Sequence, residues 1–61
     1  MKSHVYWIWV KSNGSWRLYT DGFANRGQDL IDRNRNRIER EYGSNCKIRA
    51  FRTHSLPWNT K

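Results

Sequence analysis

One cysteine, one proline and five acidic residues are all that this 61-residue chain has of those types, and each scarcity excludes something. Cys46 alone cannot close an internal disulfide, which suits a reducing compartment. With His4 and His54 it offers three soft ligands, scattered at spacings unlike those of a zinc finger, so neither a structural metal nor any other cofactor is expected. No apolar run approaches the roughly 20 residues that cross a bilayer. The run from Val5 to Val10 is too short for a secretion signal and is followed by no small-residue cleavage site. A cytoplasmic protein that neither spans nor anchors to a membrane is the expectation.

The parts of an enzyme are also missing. There is no Ser/His/Asp ordering, no glycine-rich phosphate loop, and no carboxylate pair in an apolar setting. The acids sit almost entirely beside arginines in one segment, which keeps them ionised and unsuited to general acid work. Cys46 has no histidine near it in sequence and reads as a small buried residue. His4 and His54 fall near the ends of expected strands, where they could approach each other, and read as surface residues. A chain this short leaves little room for a dry substrate pocket. A non-catalytic protein with no small-molecule substrate is expected.

What the chain does have is rings and positive charge. Four Trp, three Tyr and two Phe can supply the dense packing that a single small domain spanning residues 1–61 needs in place of disulfides or metal. The net charge is +7, and it is segregated. Residues 1–20 hold Lys2, Lys11 and Arg17 without an acid, giving +3. Residues 21–43 balance Arg26, Arg33, Arg35, Arg37 and Arg40 against Asp21, Asp29, Asp32, Glu39 and Glu41, giving zero. Residues 44–61 hold Lys47, Arg49, Arg52 and Lys61 without an acid, giving +4. The surplus lies outside the middle segment and points to an acidic macromolecular partner.

The order of elements is legible from pattern. His4 to Lys11 is rich in β-branched and aromatic residues and apolar on both faces, as a central strand requires. Asn13-Gly14 signals a type I′ hairpin, with Ser15 to Thr20 as the return strand. That register sets Lys11 opposite Trp16, Trp9 opposite Leu18 and Ile8 opposite Tyr19. Asp21 to Ala24 reads as a loop, and Asn25 with Gln28 as a capping box. A helix follows from about Arg26 to Tyr42, closed by Gly43. Leu30, Ile31, Ile38 and Tyr42 share one stripe with Gly27 and Asn34. Arg26, Arg33, Arg37 and Arg40 form a second stripe, and Asp29–Arg33, Arg35–Glu39 and Arg37–Glu41 are expected ion pairs. Asn45 to Thr53 is a third strand. Residues 54–61, with Leu56-Pro57-Trp58, are a tail apolar enough to pack back on the sheet. A right-handed crossover then gives an α+β fold: a three-stranded antiparallel sheet of order 2-1-3, ββαβ, with the helix on one face.

One sheet face is left without a helix. Small Cys46 and Ala50 pair well with large neighbours, which places Trp7, Trp9, Trp16 and Leu18 under the helix. Tyr6, Ile8, Val10, Arg17, Tyr19, Lys47, Arg49 and Phe51 are then exposed. In the inverted arrangement strands one and two present Trp7, Trp9, Lys11 and Trp16 instead. Either way the free face mixes rings with cations. The expected partner-binding residues are Tyr6, Arg17, Tyr19, Lys47, Arg49, Phe51, Arg52 and Trp58, with Arg26, Arg33, Arg37 and Arg40 as a secondary basic stripe. The bland alternative for the face is a second small core under the tail. For the arginine stripe it is a solvated, ion-paired helix surface.

The layout Val5–Val10, Asn13-Gly14, Trp16–Tyr19, helix to Tyr42 and Cys46–Phe51 resembles very small phage proteins of ββαβ topology. Some of those bind and block a host enzyme, including RNA polymerase or a toxin. The resemblance is one of size and topology and carries no site residue across. It implies a phage or bacterial accessory protein that docks in the host cytoplasm on an acidic protein surface and modulates or inhibits its target. The ring-bearing sheet also looks like an RNA-recognition platform, with Lys47-Ile-Arg-Ala-Phe51 as a loose match to that signature, which implies direct nucleic-acid binding instead. The chain is expected to act as a monomer or as a homodimer paired through an edge strand.

Overall fold

Asn13 and Gly14 both take positive φ, 56° and 82°, the pair of conformations a type I′ turn demands. They join strands β1 (His4–Ser12) and β2 (Ser15–Ala24). Helix α1 (Gly27–Tyr42) and strand β3 (Lys47–Phe51) follow. The computed structural model describes residues 3–54; of the expected tail at 54–61, His54 is among them and the rest, Leu56 and Trp58 included, lies outside them. The sheet is antiparallel with order β2-β1-β3, so the α+β, ββαβ fold read from the sequence is the fold observed. β2 runs four residues further than expected, through the stretch read as a loop, and β3 is shorter at both ends.

Helix boundaries follow the sequence closely; the closure by Gly43 is as expected, and the capping chemistry at the N-terminus is not. The N-cap is Arg26 and it makes no side-chain cap hydrogen bond, so the Asn25/Gln28 capping box does not form. Gln28 Nε2 donates to Asp32 Oδ1 instead, at 3.0 Å. At the other end Gly43 takes φ 91° and donates its N–H to Glu39 O at 2.8 Å, a conformation that side chains disfavour.

The helix covers the face of β1 opposite to the one expected. Ile8 and Val10, not the tryptophans, lie beneath it, with Ala24 and Ile48 from the flanking strands. Leu30, Ile31 and Ile38 complete the core. Tyr6, Tyr19, Tyr42, Cys46 and Ala50 pack around its rim. The reason is distance. A Cβ on Gly27 would sit 3.0 Å from the Ala50 Cβ, and one on Gly22 would sit 3.1 Å from Leu30 Cδ1. The backbone of the helix's first turn therefore rests almost directly on the sheet. Interlocking Ile, Val, Leu and Ala fill that narrow gap. Indoles would hold the layers apart and bury N–H groups needing acceptors. Each buried Ile or Leu contributes on the order of 1.5–3 kcal/mol.

A β-bulge decides the rest of β2. Trp9 faces Leu18, but Ile8 faces Thr20, leaving Tyr19 as the extra residue. The expected pairing of Ile8 with Tyr19 is thus displaced by one. Before the bulge, Trp16 and Leu18 share the face of Trp9 and Lys11. Beyond it Gly22 and Ala24 lie under the helix, and Asp21 and Phe23 turn to the other face. Were Tyr19 paired with Ile8 as in a regular strand, the two-residue period would put Asp21 and Phe23 on the helix side.

Candidate binding surface

Among the described residues, no element covers the sheet face turned away from α1, and that face is ordered in cross-strand ranks. Trp16, Lys11 and Lys47 form the first rank, at the hairpin end. Leu18, Trp9 and Arg49 form the second. Asp21, Trp7 and Phe51 form the third, and Phe23 with Val5 the fourth. Directly paired residues point to the same side, so rings and cations from all three strands meet on one surface.

Its chemistry is apolar and basic together. Lys11 Nζ lies 5.9 Å from the centre of the Trp16 ring, a cation–π contact. His54 packs edge-on against Trp7 at 6.1 Å. Arg49 donates from Nη1 to the Ile48 carbonyl at 2.9 Å, which holds the guanidinium close to the strand. Lys11 and Lys47 are direct cross-strand partners, a like-charge pairing that destabilises a sheet unless an anion sits between them. No acid reaches Lys11, Lys47 or Arg49 within ion-pair distance among the described residues. Leu18 is 39% exposed and Phe23 67%. Trp7, Trp9 and Trp16 are half-buried, and the Trp9 indole N–H is buried with no acceptor among the described residues.

No family model, curated protein or solved structure matches this chain.

The expected binding residues divide between the two faces. Lys47, Arg49 and Phe51 lie on the free face as expected. Tyr6, Arg17 and Tyr19 do not; they project on the helix side. Tyr6 packs at the core rim, with the Arg52 guanidinium 5.7 Å from its ring and the His4 ring edge-on at 6.4 Å. Tyr19 meets Tyr42 edge to face at 6.2 Å. Arg17 is exposed on the helix side of β2. Trp58 lies outside the described residues. Trp7, Trp9, Lys11 and Trp16, the inverted arrangement, take the places of Tyr6, Arg17 and Tyr19. Leu18 joins them there, having been assigned to the core, and so do Asp21 and Phe23 from the stretch read as a loop. The relative size of the two side-chain sets was a usable signal for the tryptophans. Nothing in sequence announced the bulge that exposes Phe23.

His4 and His54 contact Tyr6 and Trp7, which project to opposite faces of β1, so the sheet separates them. Among the described residues no group of three His, Cys, Asp or Glu is placed to hold a metal, and no helix is long and apolar enough to cross a membrane. Cys46 is half-buried at the core rim and carries a free thiol. A cleft of about 290 Å³ at the hairpin end is lined by Lys11, Asn13, Tyr42, Asn45, Cys46 and Lys47, among others.

Proposed function

We propose that this protein is a small non-catalytic binding module, of phage or bacterial origin, that docks its ring-bearing sheet face on an acidic surface of a host protein and modulates that target. The observation that carries this reading is the composition of the ranks. Large apolar groups, Leu18 and Phe23 among them, stand exposed beside Lys11, Lys47 and Arg49, which have no acid partner among the described residues. Protein interfaces concentrate such Trp and Arg side chains in a desolvated centre with charges around it. Asp21 also projects on this face, opposite Trp7. A carboxylate there suits a protein partner with mixed charge and opposes a run of phosphates.

Capture from bacterial lysate treated with nuclease tests the reading, with charge-reversed variants as controls. The wild-type chain is expected to retain a defined protein partner, and Lys47→Glu with Arg49→Glu to lose it. Arg37→Glu, on the far side of the molecule, is expected to keep it. Capture insensitive to the sheet-face reversal, or abolished by nuclease, sinks the proposal.

A second reading is favoured by one contact. Lys11 over Trp16 is the pairing of cation and ring that a single-stranded nucleic acid uses for phosphate and base. Under that reading a labelled single strand binds at low salt, and binding is lost in the same sheet-face variant.

A further inference from the structure

The two flanks of α1 treat their charges differently. On one, Arg35 is held by Asp32 at 3.6 Å and by Glu39 at 3.9 Å. Two of the helix acids are thus spent on one arginine. On the other flank Arg26, Arg33, Arg37 and Arg40 share a stripe, all exposed. None is within ion-pair distance of a carboxylate among the described residues. The expected pairs Asp29–Arg33 and Arg37–Glu41 do not form. Arg33 instead donates from Nη1 to the Phe23 carbonyl at 2.9 Å, which fixes this flank above β2.

β2 adds to it. Arg17 projects on the helix side of that edge strand, opposite Val10. A groove of about 450 Å³ beside it is lined by Ser12, Asn13, Ser15, Arg17, Glu41 and Tyr42. Five arginines thus face one side of the molecule, against Asp29 and Glu41 at its margins. From Arg26 to Arg40 the stripe extends about 20 Å at 1.5 Å per residue. Arg33 and Arg37 are like charges one turn apart, a spacing that by itself weakens a helix.

We propose that this flank lies along the phosphate backbone of duplex nucleic acid and binds it without regard to sequence. Arginine, serine, asparagine and tyrosine are the side chains that contact phosphates, and a straight basic line matches a regular array of anions better than it matches scattered carboxylates. A duplex fits better than a single strand because the flank has no free ring platform among the described residues. Tyr19 and Tyr42 are packed on each other and against the core, so unpaired bases have nothing to stack on. The inference does not rest on the sheet-face reading. Together the two would make the protein a bridge, with a protein on one side and a nucleic acid on the other.

Fluorescence anisotropy of the full chain with a short labelled DNA duplex of arbitrary sequence provides the test. Engaging four or five phosphates predicts a slope of log affinity on log salt near about −4, so affinity falls about a hundredfold or more between roughly 50 and 200 mM. Arg37→Gln with Arg40→Gln should flatten the slope by about 2 units without lowering the temperature of thermal unfolding. Glu41→Gln should tighten binding. The proposal is overturned by any of four results: no binding at low salt, a slope unaffected by the arginine pair, tighter binding of a single strand of equal length, or equal affinity for poly-glutamate. Binding lost in Lys47→Glu with Arg49→Glu but kept in the Arg37/Arg40 variant would move nucleic acid to the sheet face and also overturn it.

Discussion

Gly27 and Ala50 meet where the helix begins. A Cβ on the glycine would lie 3.0 Å from that of the alanine, with the Tyr6 ring at 3.4 Å. This contact sets the spacing of the two layers and decides which side chains fit between them. Gly27→Ala should therefore destabilise. Overpacking costs about 1–3 kcal/mol, and the gain in helix propensity of up to about 1 kcal/mol offsets only part of it. Adding Ala50→Gly should recover stability beyond the sum of the single effects. Thermal unfolding of all four species checks this; a raised melting temperature in Gly27→Ala alone would show that the layers are not in close contact there.

Tyr19 sets the parity of half of β2. Deleting it should remove the bulge and leave the pairing beyond it in place, with Gly22 and Ala24 still on the helix side and Asp21 and Phe23 still on the free face. The expected outcome is a variant that still unfolds cooperatively and keeps dispersed amide resonances, weakened by the loss of the Tyr19–Tyr42 ring contact, about 0.5–1.5 kcal/mol beyond the area it buries. Loss of the cooperative transition in the deletion variant would mean that the strand beyond the bulge does not keep its register without Tyr19.

Lys11 and Lys47 oppose each other across β1 and β3, so part of the sheet is arranged at some cost to stability. Lys47→Glu should raise stability by about 0.2–1 kcal/mol at low ionic strength. The gain should vanish at molar salt, where screening acts within a few ångströms. The same change should weaken capture of the protein partner. Stability lowered by the substitution would mean that the two ammonium groups do not repel.

Trp9 buries an indole N–H that has no acceptor among the described residues, a group whose desolvation costs on the order of 1–3 kcal/mol. Trp9→Phe removes that cost along with some ring area and should leave stability within about 1 kcal/mol of wild type. That is a shift of no more than about 4–8 °C for a domain of this size. Trp9→Ala should cost considerably more. A large loss in the Phe variant would reveal a hydrogen bond to that N–H in solution.

The element order was readable because its signals are local. Asn13-Gly14 fixes a turn by backbone preference, the spacing of Leu30, Ile31 and Ile38 fixes a helix face, and Gly43 ends the helix. The candidate surface was less readable because face assignment is not local. Val5 to Val10 is apolar on both sides, so alternation alone assigns no inside. The size of the tryptophans against Ile8, Val10 and Ile48 decides the face, and outweighs the smallness of Cys46 and Ala50. The arginine stripe was placed correctly by periodicity. Its lack of ion pairs was not foreseeable, since Arg33 finds a carbonyl ten residues away and Arg35 draws in both nearby acids.

Composition and local pattern, then, determined a single ββαβ layer pair with its positive charge unevenly distributed. These follow from turn preferences, periodicity and residue counts within short windows. Tertiary structure alone decided which face of β1 is inside, because the close approach of Gly22 and Gly27 to their neighbours sets the gap. It alone placed Phe23 and Asp21 outside, because one extra residue in a strand reverses every side chain beyond it.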